Sequence, residues 1–130
     1  MNEMLTGNER TRPFIPTKDI DLSMRFYEAL GFEKVAEGEV VIFNIGQGGI
    51  ILQRYYKEEW ASNSMMSLIV DDLDAWWKHI ESLDLPGNFG VPAPKPPERQ
   101  PWGLTIAYVV DPAGVLWHFA QRREGAPHDV

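Results

Sequence analysis

The chain has 130 residues, 44% hydrophobic and 24% charged, which fits one domain over 1–130 with one sizeable core and leaves no room for two large ones. Its formal net charge of -7 has the wrong sign for gripping nucleic-acid phosphates; it serves solubility, and it also suits attraction of a cationic ligand. The absence of cysteine excludes disulfides, thiolate nucleophiles and thiolate zinc sites.

The first residues, Met1-Asn2-Glu3-Met4-Leu5-Thr6, lack the basic start and apolar centre of a signal peptide. No apolar run approaches the ~20 residues that span a bilayer, so a cytoplasmic protein without a membrane partner is expected. Residues up to about Glu9 and beyond about Arg123 show no periodicity and are expected to be mobile ends of an ordered core over about 11–122.

Residues 11–16, with two prolines, suit an edge strand or an arm. Ile20, Ser23, Met24, Tyr27 and Leu30 then recur at i, i+3, i+4, i+7 and i+10, which predicts an amphipathic helix. Strands follow at 32–35, 40–45 and 49–55, with turns at Glu37-Gly38 and 46–48. A second unit begins with a strand at 65–70. It continues with a helix on Leu73, Trp76, Trp77, Ile80 and Leu83, a weak strand near 88–91, and strands at 104–110 and 115–120. Asp111-Pro112-Ala113-Gly114 is the hairpin turn between the last two. Residues 92–101 hold five prolines, too many for a helix or central strand, and read as a stiff loop over an opening or edge.

The two helical patterns repeat with an offset of 53 residues, and each opens on an acidic residue, Asp19-Ile20-Asp21 and Asp72-Leu73-Asp74, positioned to cap orphan backbone N–H groups. The expected fold is therefore α+β, two βαβββ units. With Phe26-Tyr27 and Leu30-Gly31-Phe32 after the first helix start, this duplication resembles the vicinal-oxygen-chelate superfamily of glyoxalases, dioxygenases and bleomycin-resistance proteins. Within it, Gln100-Pro101-Trp102-Gly103, Asp111-Pro112-Ala113-Gly114 and Trp117-His118-Phe119 are similar to the C-terminal part of bleomycin-resistance proteins. The resemblance spans roughly 12–121. It implies a curved mixed sheet around a cleft in a homodimer, with Pro13 where an N-terminal arm crosses to the partner.

In metal-using members each unit supplies two ligands, and the matching positions here are Arg12, Gln53 within one residue, Met65 and His118. Only His118 is a good donor, because a guanidinium has no lone pair and an amide and a thioether are poor companions for it. No metal and no cofactor are expected. His79 lies on the second helix beside Trp76 and Ile80, and His128 lies in the tail; neither forms a catalytic constellation. No serine has a Gly-x-Ser-x-Gly setting, and Gly46-Gln47-Gly48-Gly49 lacks the lysine and helix start of a phosphate loop, so it reads as a β-turn.

Trp76, Trp77 and Trp117 fall on core stripes, whereas Trp60 and Trp102 fall in irregular segments where ligand contacts are frequent. Strand alternation sets His118 opposite Trp117 and Phe119, groups Met65 with Ser67, and groups Val41 with Phe43 and Ile45. A filled core has the same pattern, so the pocket assignment comes from the resemblance. It implies a ligand-binding set of Phe43, Gln53, Trp60, Met65, Ser67, Trp102 and His118, with no catalytic residue. The leading function is metal-independent sequestration of an aromatic or cationic antibiotic-like molecule in a dimer cleft. The alternatives are a metal-dependent glyoxalase- or dioxygenase-like enzyme using His118, and a non-catalytic regulatory member with a closed cleft.

Overall fold

A computed structural model describes residues 10–122; the expectations for the two ends and for His128 lie outside the described residues. The first unit comprises β1 (Phe14–Pro16), α1 (Ile20–Leu30), β2 (Glu33–Glu37), β3 (Val40–Ile45) and β4 (Gly48–Gln53). After α2 (Glu58–Ser62) the second unit runs β5 (Met65–Ile69), α3 (Leu73–Ser82), α4 (Leu85–Phe89), β6 (Lys95–Arg99), β7 (Leu104–Val110) and β8 (Leu116–Arg122). The sheets have orders β1-β4-β3-β2 and β5-β8-β7-β6. Each thus places its first strand parallel to its last and the others antiparallel, the α+β duplication expected from the repeat.

The two helix starts are conformationally equivalent. Asp19 (φ -135, ψ 87) caps Leu22 N–H and Asp72 (φ -133, ψ 88) caps Ala75 N–H, each through a side-chain oxygen at 3.0 Å. α1 ends at Gly31, whose φ of 103 is cheap only without a Cβ. The N–H groups of Gly31 and Phe32 then reach the carbonyls of Glu28 and Tyr27 in a Schellman motif.

Both helices face one shared cluster of buried side chains. Tyr27 and Phe32 of the first unit pack on Trp117 of the second, with ring centroids 5.9 and 5.3 Å apart. His79 Nε2 and the Ala29 carbonyl oxygen also meet at 2.9 Å. The core therefore lies between the helix-bearing faces of the two sheets, and the opposite sheet faces point away from it.

Three elements differ from the sequence reading. Residues 58–62, read as part of an irregular connection, form the short helix α2. Residues 85–89 form helix α4, because the Asp84 carboxylate caps Gly87 N–H, Pro86 needs no partner in the first turn, and Gly90 ends the helix with φ 68. The proline-rich stretch contains β6, an edge strand paired with β7 alone. Proline is tolerated there because one side of an edge strand needs no ladder donors. The ladder slips between Lys95 and Glu98, where Pro96 and Pro97 interrupt the supply of N–H groups.

Candidate ligand-binding face

On β8 the side chains of Trp117 and Phe119 enter the core, which turns Leu116 and His118 to the outer face. His118 stands in register with Ser67 of β5 and Tyr108 of β7. Its ring meets that of Tyr108 edge-on, with centroids 4.8 Å apart and planes at 74°. His118 Nε2 is buried and has no hydrogen-bond partner among the described residues, and burial lowers the pKa of the ring, favouring the neutral imidazole. A neutral ring nitrogen that has lost water without gaining a partner is a polar anchor on an apolar wall. Met65, 66% exposed, shares this face two residues from Ser67.

On the first sheet the outer face carries Phe14, in register with Ile51, and Gln53, in register with Val40. Phe14 is 59% exposed. Arg12 Nε and Nη2 both donate to Asn44 Oδ1, at 3.1 and 2.8 Å. The arginine that the resemblance matches to a metal-ligand position thus reaches β3 and is held there by a neutral amide.

Phe43 corrects the sequence reading. It is 0% exposed, with its ring 5.9 Å from that of Tyr27, and Val41 beside it is also buried. This pair forms core wall, and the outer face of β3 carries Val40, Ile42 and Asn44 instead. Alternation separates a strand into two sets of side chains; only the position of α1 decides which set it covers.

The remaining candidates occupy separate places. Trp102 lies in the β6–β7 turn, 58% exposed. Trp60 lies on α2, 54% exposed, 5.6 Å from the Tyr55 ring and 5.8 Å from Lys57 Nζ. α2 leads into the Leu116 end of β8 through the Leu116 N–H to Ser64 carbonyl bond, whereas Trp102 adjoins Leu104 at the other end of β7. The length of β7 separates these ends by about 20 Å. Ser67, Met65 and His118 are therefore brought together, Trp102 and Trp60 mark opposite ends of the sheet, and Gln53 belongs to the other sheet. Tyr108 was missed by sequence reasoning; its only signal is the alternation with Ile106 and Val110.

Asp111-Pro112-Ala113-Gly114 carries the resemblance but has a structural task. Asp111 is buried, and its carboxylate accepts from Tyr27 Oη and from the N–H groups of Ala113 and Val115. Burial raises its pKa against those hydrogen bonds, and burial together with the facing carboxylate raises that of Tyr27.

The family's metal positions do not suit a divalent ion here. They supply a guanidinium already bound to Asn44, an amide, an exposed thioether and one imidazole. Among the described residues no group of three or more His, Asp or Glu is placed to hold a metal, and no helix is long and apolar enough to cross a membrane.

Comparison with known proteins agrees with this architecture. A bleomycin resistance protein from Klebsiella pneumoniae is 30% identical over 117 residues, covering 87% of this chain and 92% of the relative. The crystal structure of a bleomycin-binding protein complexed with bleomycin is 30% identical with a TM-score of 0.70, covering 86% of this chain and 97% of the other. A bleomycin resistance determinant encoded on a transposon is 28% identical with a TM-score of 0.69, covering 88% and 98%. Residues 10–119 match the family model described as glyoxalase/bleomycin resistance protein/dioxygenase superfamily, and the chain belongs to that superfamily.

Proposed function

We propose that this chain is a single-domain, cytoplasmic binding protein that sequesters an aromatic, antibiotic-like small molecule without metal, cofactor or catalysis. The observation that carries the reading is the outer face around His118. It combines exposed apolar surface at Met65, the Tyr108 ring, Ser67 and a desolvated imidazole nitrogen without a partner, as a ligand wall with few polar points requires. The relatives named as binding or resisting bleomycin support an antibiotic as the ligand. Gln53, Met65, Ser67, His118 and Trp102 are assigned to the site, with Trp60 at its margin.

The working unit in this reading is a homodimer. The outer faces of both sheets turn away from the shared core with Phe14 and Met65 exposed, and a second copy closes them into a cleft.

The test is titration of wild type and Trp102→Ala with bleomycin and an unrelated aromatic compound, followed by heat release and tryptophan fluorescence. A stacked ring contributes about 0.5–1.5 kcal/mol beyond area burial, so the variant should bind up to about tenfold more weakly. Absence of binding to wild type by any aromatic ligand would sink the reading. Equal affinity of the two proteins would remove Trp102 from the site.

A further inference from the structure

Beside the Tyr108–His118 pair, the slipped edge of the second sheet opens a cavity of about 240 Å3, lined by Pro92, Ala93, Lys95, Tyr108, Val110 and Leu116. Its origin is local. Lys95 is in register with Tyr108 and Glu98 with Ile106, so three steps along β6 answer two along β7. A bulge of this kind bends the edge and re-aims the side chains beside it. It falls on Pro96-Pro97, which have no N–H to keep β6 tightly laddered.

The lining is apolar apart from the Tyr108 hydroxyl and one charged group, Lys95. Lys95 has no carboxylate partner among the described residues, where both ion pairs belong to Lys34. Glu98, the acid on the same strand, lies beyond the bulge and does not line the cavity. An ammonium beside apolar walls and an aromatic ring selects a flat molecule with negative charge at one edge. The ring loses water against Val110, Leu116 and Tyr108 while the anion keeps partial hydration near Lys95.

We propose that this cavity is a subsite for a planar aromatic ring carrying an anionic substituent, with Tyr108 and Leu116 holding the ring and Lys95 pairing with the anion. The inference rests on the ligand-binding reading above and narrows its ligand. The -7 net charge of the whole chain points to a cation, but at this position the nearest charge is positive, and a local charge governs contact while the net charge governs long-range approach.

The test compares naphthoate with naphthamide, which share shape and differ in charge, by calorimetry against wild type, Lys95→Gln and Tyr108→Leu, with bleomycin titrated in parallel. Wild type should prefer naphthoate by about fivefold at low salt, the upper end of what one exposed ion pair contributes. The preference should shrink as salt is raised. Lys95→Gln should abolish it while leaving naphthamide affinity unchanged, and Tyr108→Leu should weaken both probes. Equal binding of the two probes by wild type, a preference that survives in Lys95→Gln, or failure of both probes overturns the subsite. If bleomycin still binds in that case, the antibiotic-binding reading stands without the subsite; if no aromatic ligand binds, both fall.

Discussion

Tyr27 of α1 donates a 2.5 Å hydrogen bond to Asp111, 84 residues away in the β7–β8 turn, and accepts one from Trp117 Nε1 at 2.9 Å. One hydroxyl thus joins the two units where water does not reach. The second Asp111 oxygen accepts two backbone N–H groups and closes the turn. Three residues that carry the resemblance, Tyr27, Asp111 and Trp117, are thus fastened to one another in the core.

Tyr27→Phe should leave the Trp117 indole N–H and one Asp111 oxygen buried without a partner. The expected loss is about 1–3 kcal/mol, the cost of an unsatisfied buried polar group. Urea unfolding followed by tryptophan fluorescence measures it; a variant as stable as wild type would show that the bond contributes nothing net.

The pH dependence has a defined sign. Burial is the largest influence on Asp111 and raises its pKa above the usual 3.8, so the native state holds this proton more tightly than the unfolded chain does. The stability contributed by that protonation is full below the unfolded value and is lost as pH rises through the raised one. Asp111→Asn lacks the titration. The stability of wild type relative to Asp111→Asn should therefore be greatest at the acid end and decline toward neutrality in urea melts at a series of pH values. A gap that widens with pH would contradict the assignment.

Phe43 and Trp102 should separate stability from binding. Phe43→Ala removes a fully buried ring beside Tyr27 and should cost about 3–5 kcal/mol. Trp102→Ala, at an exposed turn, should change stability by less than about 0.5 kcal/mol while weakening ligand binding. A stable Phe43→Ala variant that loses affinity would return Phe43 to the site.

The dimer is checked by sedimentation. Wild type at micromolar concentration should sediment as two chains. Phe14→Asp, which puts a charge on the exposed outer face of β1, should shift it toward one chain with unchanged far-UV circular dichroism. A monomeric wild type would remove the second copy from the proposed cleft.

Much of the fold was legible because its signals are local. The apolar stripes on Ile20 to Leu30 and on Leu73 to Leu83, the two aspartate caps and the repeat at 53 residues all follow from 3.6-residue periodicity and from side chains that satisfy nearby backbone. α4 was missed because its signals are an aspartate, a proline and a glycine in a stretch without helical periodicity. β6 was missed because proline density argues against a strand except at an edge, and edge position is a property of the finished sheet.

The site divides along the same line. That His118 opposes Trp117 and Phe119, that Met65 and Ser67 share a side, and that Arg12 cannot donate a lone pair to a metal all follow from strand alternation and side-chain chemistry, which need no knowledge of distant residues. That Phe43 faces the core, that Tyr108 stands beside His118, that Asp111 holds Tyr27, and that Lys95 edges a cavity are visible in the folded chain alone. Each of these depends on register or on which face a helix covers, and both are set by contacts between residues far apart in the chain.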